Sequence, residues 1–76
     1  MSKLSTVDYA GSALTAREFQ CLAGIARGLL PKQIAGELGI ADVTVHLHVA
    51  NAKRKLGART REHAVAIGVS SGLIAV

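Results

Sequence analysis

Between Leu14 and Ile74 the apolar residues recur mostly at helical spacing, and small or turn-forming residues break the pattern into four stretches. Thr15, with Glu18 three residues on, has the form of a capping box, and Leu14 and Phe19 stand where a hydrophobic staple would. Cys21, Leu22, Ile25 and Ala26 follow at helical spacing and Gly28 supplies a stop, which predicts a first helix over Ala16–Arg27. Pro31 suits the first position of a second helix because its missing N–H costs nothing there, although Leu30 before it is a poor cap. Ile34, Ala35 and Leu38 give that helix its stripe and Gly39 ends it. Thr60 caps a last helix, predicted over Arg61–Ser71, which Gly72 closes.

The third stretch, DVTVHLHVANAKRKLG (Asp42 to Gly57), begins ambiguously. Val43, Val45, Leu47 and Val49 alternate with Thr44, His46 and His48, the period of a strand whose His-x-His face could hold a metal. After Val49 the alternation fails. A helical template survives the whole segment, with Val45, Val49, Ala52 and Leu56 at i, i+4, i+7 and i+11. Ala, Lys, Arg and Leu are good helix formers. Asp42 at the start and Lys53 to Lys55 at the end complement the macrodipole. A third helix over Asp42–Leu56 is therefore predicted. At about 100° per residue His46 and His48 point to opposite sides and cannot share an ion. His48 falls at the edge of the buried face, where a core histidine is the simpler reading, and His46 falls on the outer side.

The expected class is all-α: one four-helix domain over 14–76 behind a flexible arm over 1–13, where Ser, Thr, Asp and Gly show little periodicity. At 76 residues the chain supports one modest core, so a partner or a second copy is expected. Only Tyr9 and Phe19 are aromatic, which leaves Leu, Ile, Val and Ala to build that core. Net charge is +4, and five of the nine basic residues (Lys53, Arg54, Lys55, Arg59, Arg61) lie in one short window while the acids are scattered. That asymmetry points to a polyanion. A single cysteine, Cys21, excludes an internal disulfide and a cysteine-based zinc site. No secretory signal is visible, and the longest uncharged run, Ala64 to Val76, is 13 residues, against about 20 for a membrane span. A cytoplasmic protein is expected. No Ser/His/Asp set, paired carboxylates or phosphate-binding glycine loop can be assembled, so no enzyme activity, cofactor or small-molecule ligand is expected.

From Pro31 onward the chain reads as two helices joined by a tight turn. Ala35 must be small where the next helix crosses it, Gly39 supplies the left-handed conformation of the turn, and Val45 closes a small core with Ile34, Leu38 and Ile40. Such a pair can hold its second helix for a DNA major groove, or it can be a purely structural corner. Around it, LTARE, ARGLLPKQIAGELGI, TVHLH, KRKLGA and TREHAV together resemble the LuxR/GerE-type helix-turn-helix domain of bacterial transcription regulators, over Leu14 to Ile74.

The resemblance implies a four-helix DNA-binding domain without enzymatic activity or cofactor, its third helix reading DNA and its fourth contributing to dimerisation. By position, Lys32 and Thr44 match residues at helix N-termini that approach phosphates, and His46, Leu47 and Ala50 match residues facing base edges. Lys53 and Arg54 lie further along, near the backbone, and Arg59 and Arg61 flank the fourth helix. Val65, Gly68, Val69 and Gly72 form the candidate dimer surface, unless they merely cover helices 1 and 3. Three departures thin the direct readout. Ala41 stands where the family usually has Ser, weakening the cap of helix 3 unless Asp42 takes over. His46 stands for Lys or another polar donor, and Ala50 for a longer polar residue. His46 can still donate to a guanine or a phosphate, and Leu47 can pack on a thymine methyl.

The implied function is a dimeric transcription regulator bound to double-stranded DNA in the bacterial nucleoid, either stand-alone or the output domain of a longer chain. The competing expectation is a small interaction protein that pairs with a larger LuxR-type regulator and blocks its DNA binding.

Overall fold

Helix α1 (Ala16–Ala26) starts on the expected capping box. The Thr15 hydroxyl accepts from the Glu18 N–H at 3.1 Å, and Glu18 Oε1 accepts from the Thr15 N–H at 2.9 Å. The computed structural model describes residues 14–75, so the arm expected over 1–13 lies outside them. Of the expected staple, Leu14 packs against the core, whereas Phe19 stays 37% exposed. Helix α2 (Pro31–Leu38) has no capping side chain at Leu30, but Gln33 Oε1 accepts the Leu30 N–H at 2.8 Å and supplies half a box. Gly39 then turns the chain at φ +70, a conformation that costs other residues roughly 1–2 kcal/mol.

The ambiguous stretch is one continuous helix, α3 (Asp42–Leu56), closed by Gly57 at φ +69. Helix α4 (Arg61–Ser70) is capped by Thr60, whose hydroxyl accepts the His63 N–H at 3.0 Å. No strand occurs among the described residues.

Two apolar clusters hold these helices together. In the first, Cys21 of α1 and Ile34 and Ala35 of α2 pack on Val45 and Val49 of α3, with Leu38 and Ile40 against them. This is the corner expected of a helix-turn-helix. The approach of α2 to α1 is close: a Cβ on Gly24 would stand 2.8 Å from Ile34 Cδ1. In the second cluster Leu22 of α1, Ala52 of α3 and Ala64 of α4 meet Ile74, with Leu56 and Val65 at the margin. Leu22, Val45, Ala52 and Ala64 are fully buried. Burying a Leu or Val side chain contributes about 1.5–3 kcal/mol. Cys21 is also fully buried, and burial pushes its thiol pKa up despite the charge of Arg17, so it packs as a small hydrophobe.

One tie crosses from α3 back to α1. Lys55 Nζ lies 2.8 Å from Glu18 Oε1, the oxygen that also serves the capping box. Burial alone would raise the Glu18 pKa. The Lys55 hydrogen bond, the Thr15 N–H and the Lys55 charge outweigh it and hold the carboxyl below its ordinary value. Lys55 is thus committed to structure, although in sequence it is one of the basic run.

Candidate nucleic-acid interface

Clusters one and two divide α3 into a buried face and an exposed one. Val45, Val49 and Ala52 are buried and Leu56 is half-buried, while Val43, His46, Leu47, Ala50 and Arg54 are exposed. His48 is half-buried, at the border expected of it, and His46 faces out. On one flank of the exposed face a cleft of about 290 Å³ opens between α3 and the N-termini of α2 and α4. Its walls carry Pro31, His46, Ala50 and Lys53 with Arg59, Thr60 and Arg61. The fold thereby brings together five residues expected from sequence to meet DNA, His46, Ala50, Lys53, Arg59 and Arg61, from α3 and the start of α4.

The same cleft separates His46 from Leu47. Sequence reasoning placed both on base edges, but His46 sits among the cations of the cleft and Leu47, outside it, is 57% exposed. The family model for bacterial regulatory proteins of the luxR family matches residues 12–67. The chain belongs to the LuxR family. It is 44% identical over 62 residues to the transcriptional activator protein AhyR of Aeromonas hydrophila, covering 82% of this chain and 24% of that protein. Transcriptional activator protein VanR of Vibrio anguillarum is 41% identical over 63 residues, 83% of this chain and 26% of VanR. The chain therefore spans about a quarter of the length of these relatives.

In this LuxR-family domain, ion pairing sorts the basic residues. Lys55 is held by Glu18, Arg27 by Glu37 at 3.2 Å, and Arg61 by Glu62 at 3.5 Å. Lys32, Lys53, Arg54 and Arg59 have no acidic partner among the described residues. Lys32 and Arg59 are exposed and Lys53 is half-buried beside the cleft, while Arg54 leans on Asn51 Oδ1 at 3.3 Å. Arg61 keeps most of its charge available, since an exposed pair of this kind is worth at most about 1 kcal/mol.

The departure at Ala41 has a visible consequence. Ala41 is the N-cap of α3 and no side chain caps that helix. Asp42 does not take over, because it already sits in the first helical turn. Thr44, half-buried in that turn, gives its N–H to the Ala41 carbonyl at 3.0 Å.

Sequence reasoning missed one contributor to the cleft. His63 Nδ1 accepts the Arg59 N–H at 3.1 Å while its own N–H is capped by Thr60. The bond fixes the backbone from which Arg59, Thr60 and Arg61 reach the cleft. A Thr followed three residues later by an acceptor side chain was the available signal, but the imidazole reaches one residue further back than a capping-box Glu does. The expected dimer surface also changes. Gly68 is buried under Ile74, whose Cδ1 would lie 2.7 Å from a Cβ at that position. Its close approach is thus to its own chain, so it offers no surface, while Val65 is half-buried against the second cluster, Val69 is 36% exposed and Gly72 is exposed.

Proposed function

We propose that this domain binds double-stranded DNA as part of a transcription regulator, with α3 in the major groove. The observation that carries the reading is the cleft in which Lys53, Arg59, Arg61 and His46 converge beside the exposed face of α3. A helix face flanked on one side by cations suits a groove flanked by a phosphate strand. Lys32 and Thr44, at the starts of α2 and α3, would add contacts to the same backbone. Two copies joined through α4, by Val65, Val69 and Gly72, would place their α3 helices on half-sites about one helical turn apart.

Titration onto duplex DNA at several salt concentrations tests this. Binding should weaken by roughly 0.9 log units per log unit of salt for each phosphate neutralised. Lys53→Ala with Arg54→Ala should weaken binding to all sequences alike and lower that slope by roughly two. No binding even at low salt would remove the proposal and leave the second reading, a small protein that pairs with a larger LuxR-type regulator. That reading is favoured by Leu30, 60% exposed at the rim of an apolar groove formed with Ile25, Leu29 and Val65.

A further inference from the structure

We infer that Val43 and Leu47 form a methyl-reading edge that recognises the C5-methyl groups of thymine in the major groove, an inference that rests on the DNA-binding reading above. At about 100° per residue, Val43, Ala50, Arg54 and Leu47 fall within about 60° of one another. They lie opposite the side that Val45, Val49, Ala52 and Leu56 turn to the core. His46 and Lys53 lie on the flank, in the cleft. With the cations of the cleft on a phosphate strand, the side chains at the crest of α3 point at the floor of the groove.

That crest is apolar where polar donors would be expected. Val43 is 73% exposed and Leu47 57%, two of the five large hydrophobic side chains left in water among the described residues. They stand at i and i+4, so they form one surface. Ala50, one turn on, carries a single carbon and lets the helix approach the bases closely. Arg54, at the far end of the crest, is its one donor-bearing side chain; its guanidinium leans on Asn51 Oδ1 and is left to the phosphate backbone, as in the DNA-binding reading above. Of the groups that base pairs present in the major groove, only the thymine methyl is matched by an aliphatic side chain. The basic flank selects a polyanion as the occupant, and the crest selects its methyl groups.

The test begins with selection of bound sites from a random-sequence duplex pool by the full chain. Each thymine of the enriched half-site is then replaced by deoxyuridine, which removes only the methyl. The enriched half-site should hold a thymine at fixed positions. Its replacement should weaken binding about fourfold, the worth of one buried methyl, with an unchanged salt slope. Val43→Ala or Leu47→Ala should abolish the difference between thymine and deoxyuridine at one position each. Both side chains are exposed, and melting curves should show both variants folded as the parent is. Salt-dependent binding with equal affinity for the thymine and deoxyuridine duplexes at every position, or with no thymine enriched, overturns methyl reading and leaves DNA binding standing. A variant that keeps the full difference overturns the assignment of that residue. Absence of salt-dependent binding to any duplex removes both.

Discussion

The two ends of α3 are held very differently. Its C-terminal half is anchored three times: Ala52 is fully buried in the second cluster, Lys55 reaches Glu18 on α1, and Gly57 closes the helix. Its N-terminal half is buried along one line only, through Val45 and Val49. It begins on an uncapped Ala41 and leaves Val43 and Leu47 in water. The difference teaches how a short domain presents one helix. The ion pair and the glycine stop lie at the C-terminal end, so the N-terminal end, held by the buried Val45 and Val49, does without a side-chain cap and leaves apolar side chains in water without loosening the helix as a whole.

The anchored end is the one to break first. Leu22 is fully buried in the second cluster. Leu22→Ala should cost about 2–5 kcal/mol, a large part of the total for a domain this small, and a thermal melt followed by circular dichroism should show it largely unfolded at 37 °C.

Lys55→Met keeps the stem and removes the charge, leaving Glu18, only 4% exposed, with Thr15 as its remaining partner. A loss of about 1–3 kcal/mol is expected. The acid limb should change as well. The folded Glu18 pKa lies below its ordinary 4.5, so its contribution is complete above that value and is lost as pH falls through the lowered folded pKa. In Lys55→Met the burial that raises the pKa meets less opposition, and stability should fall less steeply on acidification. A Lys55→Met acid limb as steep as the parent's would separate the pair from acid stability.

The smallest effect sharpens the comparison from the open end. Ala41→Ser gives α3 the missing cap and should add about 1 kcal/mol, raising the melting temperature by roughly 4–8 °C in a domain of this size. An unchanged melting temperature would mean that the start of α3 is not the loosely held end.

Much of this was legible in the sequence because helix ends are local. The capping box at Thr15 and Glu18, the cap at Thr60 and the stops at Gly39 and Gly57 each depend on neighbours within a few residues. The helical spacing of Val45, Val49 and Ala52 likewise marked a face that is in fact buried, and it decided between strand and helix. What escaped depends on where the chain folds back on itself, beyond the reach of helix-local spacing. Nothing near Lys55 distinguishes it from Lys53 and Arg54; only the return of α1 brings Glu18 to it. Gly68 resembled a site for close approach between two chains until Ile74 was found over it. His46 and Leu47 are adjacent in sequence and share an exposed face, and only the arrival of α4 puts one in a basic cleft and not the other.

Ile74 also bears on the order in which the molecule comes together. The first cluster draws on residues 21–49, a span that becomes available early as the chain is made. The second joins Leu22 to Ile74 and cannot close until residue 74 has left the ribosome. Until then α3 lacks part of its C-terminal anchorage and α4 has nothing over Gly68. A nascent chain would therefore acquire the helix-turn-helix corner before the C-terminal half of α3 is rigidly held.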